Sequence, residues 1–329
     1  MGFFYPQWQK IIRIGVTTPP TTTGYQVKVE IPWQPGMRDD FADLRFSDYY
    51  RTLPYWIETG SVTNRVTATV WIKLTEINSA ANEFFCYYGN GGASSESNGD
   101  TTFDFFDDFP GGSLDTSKWD TSLGTYTVSN SILSITGTVA ASFIYSKTLF
   151  GANYASKQRM MKTIAADPNG GYLAGFRDPI GTSNNFAVFY SQWPTGAKNN
   201  GVNGNNTGTY PNVVFDFPTA NVYHNYEIKR NGATSILYSV DGAGEQSTTT
   251  YIPSKAIPSA CGCDGTAGVC TTYWDWVIVR KYQSTEPTCT PAESGINTAW
   301  YMVYRLLANK FITLTAIQHL THIDLTWSE

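Results

Sequence analysis

Two kinds of residue in this 329-residue chain could do chemistry: clustered acids, and aromatics set beside planar polar groups. Asp104, Asp107 and Asp108 lie close together, and hard carboxylate oxygens of this kind suit Ca²⁺. Phe186-Ala187-Val188-Phe189-Tyr190-Ser191-Gln192-Trp193 alternates as a strand does. Phe186, Val188, Tyr190 and Gln192 fall on one face, and Phe189, Ser191 and Trp193 on the other. One of those faces must be core. Trp193, Tyr190 and Gln192, with Arg177 and Tyr172 nearby, are the candidate ligand contacts, because rings stack on sugars and planar polar groups bond hydroxyls. For each of them packing is the competing role.

Other chemistries find less support. Retaining glycoside hydrolysis needs two carboxylates about 5–5.5 Å apart. On a strand that means acids at i and i+2 or i+4, and neither Glu227 nor Glu245 has such a partner. The histidines are His224, His319 and His322, and there is neither a Gly-x-Ser-x-Gly elbow nor a phosphate-cradling loop. His319 and His322 would share a face if helical, with Asp324 the one obvious further ligand. The expectation is therefore a chain without catalytic activity. Cys86 sits in an apolar run and reads as a buried free thiol. Cys261, Cys263, Cys270 and Cys289 could form two disulfides or a zinc site. The spacing lacks paired C-x2-C knuckles, which favours disulfides.

The elements that must position these residues read as all-β. Strand patterns cover 10–31 (two strands), 66–74 and 83–88, and a Gly/Ser/Asn run over 89–99 closes a first domain, a β-sandwich over 1–100. From 101 to 288 strands recur at intervals of about ten residues, as in a sandwich or jelly roll: 126–129, 132–136, 143–147, 186–192, 226–230, 236–240 and 274–280. Residues 196–210 are Gly/Asn-rich without apolar period and read as a long loop carrying the acceptor Asn205-Asn206-Thr207. A tail over 289–329, apolar from 295, reads as a helix and a strand or as two strands. It is a possible assembly segment, covering its own domains or a neighbouring copy.

Composition sets the outer limits. Charged residues make up 15% of the chain and the net charge is −5, which argues against nucleic-acid binding. No apolar stretch is long enough for a membrane-spanning helix. The start lacks the basic and apolar regions of a signal peptide, leaving a removed signal or release by lysis as a virion protein. The low-charge, Asn/Thr-rich composition points to an extracellular location, at a cell surface, filament or virion.

Leu53-Pro54-Tyr55-Trp56-Ile57-Glu58, Thr69-Val70-Trp71-Ile72-Lys73 and Tyr87-Tyr88-Gly89-Asn90, with Asp40–Phe46 upstream, resemble a domain of unknown function found in bacterial and archaeal surface proteins. Phe105-Phe106-Asp107-Asp108-Phe109, Leu114–Trp119, Tyr226–Arg230 with Tyr238–Gly242, and Trp274–Tyr282 resemble a concanavalin A-like lectin/glucanase (laminin G-like) jelly roll. The resemblance covers about 8–288. It implies adjacent opening and closing strands, so that Asp275 would join Asp107 and Asp108 in a structural Ca²⁺ site. The Glu-x-Asp-x-x-Glu signature of laminarinase-like members is missing. The expected role is a non-catalytic surface or virion protein for adhesion or structural assembly, with glycan-binding potential, as a homo-oligomer or with partner subunits. The alternative is a divergent glycoside hydrolase or lyase acting on polysaccharide.

Overall fold

A computed structural model describes residues 5–292 apart from 6, 19, 21, 49, 76–82, 139–140, 164–170, 180–184, 192–197, 206, 208–212, 217–220 and 265–269. The chain is all-β. The first module holds β1 (Lys10–Thr17), β2 (Tyr25–Pro32), β3 (Arg45–Ser47), β4 (Tyr55–Ile57), β5 (Thr67–Leu74) and β6 (Glu83–Tyr88). Period-two patterning decides its layers: Ile12, Ile14 and Val16 face inward from β1, and Val27, Val29 and Ile31 from β2, with charged neighbours outward. A helical turn, α1 (Gly99–Thr102), leads out of the module and is capped by the Asn98 side chain, which accepts from the Thr101 N–H at 3.1 Å.

The second module follows as β7 (Phe105–Asp107), β8 (Trp119–Leu123), β9 (Thr125–Ser129), β10 (Ile132–Gly137), β11 (Ala141–Phe150), β12 (Tyr154–Lys162) and β13 (Gly171–Arg177). It continues with β14 (Phe186–Ser191), β15 (Lys198–Gly204), β16 (Val213–Asp216), β17 (His224–Asn231), β18 (Ser235–Val240), β19 (Ala243–Thr248), β20 (Ile257–Asp264) and β21 (Cys270–Lys281). These strands make two antiparallel sheets packed face to face as a jelly-roll sandwich. One is eight-stranded, in the order β19-β18-β17-β12-β21-β10-β9 with β7 also on β21, and the other is seven-stranded, β16-β15-β14-β13-β20-β11-β8. Between them lie Ile135, Met160, Ile228, Tyr238 and Trp274 from the first sheet and Ile144, Phe176, Phe189 and Cys261 from the second. Gln158, fully buried, is the polar pin of that core. It donates to the Ser259 hydroxyl and the Ala260 carbonyl and accepts from the Trp274 indole at 3.1 Å.

Two sequence expectations change here. Residues 196–210 are not a loop throughout: β15 lies within them, paired with both β14 and β16. Its glycines hide the period, and packing requires one of them, since a Cβ at Gly201 would lie 2.6 Å from the Tyr238 ring. Asn203 ties the strand to the Thr250 and Tyr251 carbonyls. Nor does everything from 289 belong to a tail. The last strand, β22 (Thr288–Pro291), returns to the first module and pairs antiparallel with β1, completing the sheet β22-β1-β6-β3 that packs on β2-β5-β4. The free edge of β1 needs a ladder partner, and the chain supplies it only after the jelly roll is closed. Residues 293–329 lie outside the described residues.

Candidate functional site

A sandwich offers two outer faces, and in this chain one of them is already occupied. Trp56 and Trp71 stand directly opposite each other on β4 and β5 and project from the first module. They pack with Phe103, Phe106, Trp276 and Ile278 in a buried cluster on the eight-stranded sheet. Trp56 meets the Trp276 ring edge-on at 5.3 Å between centroids. Charges surround the rings. Lys157 Nζ lies 2.7 Å from both Glu58 oxygens, between the faces of Trp71 and Trp276, and Glu58 also accepts from the Trp71 indole. Arg280, 2% exposed, donates to Glu227 and Glu286 and lies over Trp71 at 4.9 Å. Burial alone would raise the Glu227 carboxyl, but Arg280, Lys229 and Lys157 outweigh it and hold it down at about 2. Glu286 is lowered too, with Arg280 again overcoming burial. A general acid needs the opposite shift, so this pair of carboxylates is a joint and not a catalytic dyad.

The other outer face belongs to the seven-stranded sheet. Phe143, Tyr145, Leu173, Phe186, Val188 and Ala260 form an apolar floor there, with half-buried Tyr190 and Val202 packed against it. Glycines let the rings lie flat: a Cβ at Gly262 would sit 1.7 Å from the Phe143 ring, and one at Gly171 would sit 3.0 Å from that of Tyr190. Arg177 closes one end, its guanidinium 5.3 Å above the Phe186 ring. The register Leu173↔Tyr190 and Arg177↔Phe186 sets Tyr190 and Arg177 about 13 Å apart along the strands.

Of the candidate ligand contacts, the structure brings Tyr190 and Arg177 to this one face. Phe189, on the opposite face of β14, is core. Tyr172 lies in β13 with its backbone opposite Cys263, and its side chain is outside the description. Gln192 and Trp193 lie outside the described residues. The floor residues Phe143, Tyr145 and Leu173 were missed, because an apolar strand residue carries no mark of which sandwich face it takes. Trp56, Glu58 and Lys157 were given no role, although an acid closing an apolar run, as Glu58 does, is a signal for a buried partner.

The structure changes the disulfide expectation and shows which groups hold the acids named for a metal. Asp107 is buried, and its carboxylate accepts from the Phe109 N–H and the Trp119 indole, while Asp275 pairs with Arg159 at 2.9 Å. Burial raises the carboxyls of Asp107, Asp108 and Asp275. Among the described residues no group of three or more His, Cys, Asp or Glu could hold a metal ion. One disulfide forms, Cys263–Cys270, and Cys261 and Cys289 stay free alongside Cys86. Cys261 lies in the jelly-roll core and Cys289 packs against the core of the first module, so the second expected pair cannot meet.

Solved structures share the jelly-roll architecture. A β-1,3-1,4-glucanase (lichenase) from a mouse hindgut metagenome aligns at 15% identity over 54% of this chain and 98% of its own, with a TM-score of 0.46. A structure from work on endo-acting O-glycanases of the human gut microbiota gives 14%, 55%, 100% and 0.44. The β-agarase A of Zobellia galactanivorans gives 13%, 56%, 90% and 0.42. At these values the likeness is one of fold. These neighbours are described as glycan-cleaving enzymes. The expectation of a chain without catalytic activity is withdrawn, because acid pairs missing along one strand leave carboxylates free to meet across strands. No curated protein matches the chain. The family described as a domain of unknown function (DUF2341) matches residues 40–122, and that domain, whose span includes Trp56, Glu58 and Trp71 of the joint, is present in the chain.

Proposed function

We propose that this chain is an extracellular surface protein that binds a polysaccharide along the outer face of the seven-stranded sheet. The observation that carries the reading is the division of labour between the sandwich faces. The eight-stranded sheet is committed to the first module, and on the seven-stranded sheet the half-buried Tyr190 and Arg177 lie beside a buried aromatic cluster. The Cys263–Cys270 disulfide supports an oxidising compartment. Affinity electrophoresis of the full chain through a panel of soluble polysaccharides tests it. At least one should retard the protein, and Tyr190→Ala should weaken that retardation in a variant whose circular dichroism shows it still folded. Migration unchanged across the whole panel would remove the reading.

Cleavage of the bound chain is the second reading. It is favoured by Asp264, an acid whose backbone pairs with Gly171, against which the Tyr190 ring lies. New reducing ends or unsaturated products that vanish in Asp264→Asn would support it. Product formation unchanged in that variant would dismiss it.

A further inference from the structure

The binding face carries a cation that has no counter-charge among the described residues. Arg177 stands at the end of β13 with its guanidinium over Phe186, and its Nε is buried without a hydrogen-bond partner. Among the described residues no carboxylate forms an ion pair with it. The adjacent acid, Asp178, is spoken for: its buried carboxylate accepts from the Asn185 amide at 3.0 Å and pairs with Lys255 at 3.0 Å. Elsewhere the buried cations are partnered: Lys157 by Glu58, Arg280 by Glu227 and Glu286, and Arg230 by the Phe150, Pro253 and Lys255 carbonyls. An arginine left over on a ligand-facing sheet is a fork built for a planar or tetrahedral anion.

Resting on the polysaccharide reading above, we infer that the ligand is an anionic polysaccharide whose carboxylate or sulfate group sits on Arg177 while a neighbouring sugar ring meets Tyr190. The separation of about 13 Å between the two side chains exceeds one sugar ring, so the site reads a chain segment and not a terminal sugar. The protein's net charge of −5 gives no general attraction to polyanions, so a preference for them rests on local cations such as Arg177.

The test compares the full chain with Arg177→Gln and Arg177→Lys on three classes of probe: polygalacturonate and alginate, dextran sulfate and chondroitin sulfate, and the neutral glucans laminarin and lichenan. Anionic probes should bind at least tenfold tighter than neutral ones, and added salt should erode the difference. Arg177→Gln should cost roughly ten- to a hundredfold on the anionic probes and little on the neutral ones. Arg177→Lys keeps the charge and should recover part of the loss, and it carries the test alone if the Gln variant does not fold. The carboxylate and sulfate arms identify the charged group. Equal binding of neutral and anionic probes, or an anionic preference that survives both variants, would overturn the inference and leave polysaccharide binding standing. Binding to none of the three classes would overturn both.

Discussion

Replacing Glu58 by Ala should destabilise the whole molecule, because it strands a buried ammonium. The side chains of the Glu58–Lys157 pair are 5% and 12% exposed, and both carboxylate oxygens lie 2.7 Å from Lys157 Nζ. Without the carboxylate Lys157 keeps only the faces of Trp71 and Trp276, at 5.7 and 5.6 Å. The Trp71 indole also loses its acceptor at 2.8 Å. Removing one partner of a buried pair costs about 3–5 kcal/mol. The indole loss of about 1–3 kcal/mol overlaps with that figure and is not added to it. At about 2 °C per kcal/mol for a chain of this size, the melting temperature should fall by roughly 6–10 °C. The assay is thermal unfolding at pH 7, followed by tryptophan fluorescence, on wild type, Glu58→Ala, Lys157→Met and the double variant Glu58→Leu/Lys157→Met. The double variant should lie close to wild type, since apolar replacement of both partners removes the stranded charge. A Glu58→Ala loss below about 1 kcal/mol, the value of an exposed pair, would refute the buried joint.

Other outcomes follow from the same geometry. Glu227 is held at about 2 when folded against an ordinary 4.5, so its stabilisation is complete above pH 4.5 and is lost as pH falls toward 2; melting temperature against pH should show this loss, and Glu227→Gln should flatten it. Thiol counting without reductant should find three reactive cysteines in denaturant and five after reduction. In the native state all three should react slowly, because burial pushes Cys86 and Cys261 well up and Cys289 to about 12. Chelator should leave the melting temperature unchanged, because the oxygens of Asp107 already accept from Phe109 and Trp119 and Asp275 is paired with Arg159; a fall would restore the Ca²⁺ site. Gly262→Ala should lower both the melting temperature and polysaccharide binding, because its Cβ would displace the buried Phe143 ring, and unchanged binding would count against that face.

The two-module all-β architecture was legible because its strands alternate: Ile12, Ile14 and Val16 and then Val27, Val29 and Ile31 announce buried faces directly. β15 was not, because glycine and asparagine carry no period, and its place is set by Tyr238 and Thr250 from distant segments. Nor was β22, whose four residues become a strand on the edge of β1 that β6 leaves open. The same holds for the site. Alternation in β14 separates Tyr190 from Phe189 but does not say which of them faces the core; the packing of Phe189 against Tyr226 and Tyr238 decides that. Asp107 and Asp275 looked like metal ligands because sequence shows acids and hides the indole and guanidinium that occupy them.

Hydrogen-exchange footprinting with a bound polysaccharide tests the central claim most directly, since backbone amides report where a ligand lies. The account predicts added protection in peptides spanning β13, β14 and β20 and none in β12 or β17, whose outer face the first module covers. Protection confined to the eight-stranded sheet or to the first module, with the seven-stranded sheet unchanged at saturating ligand, would contradict it.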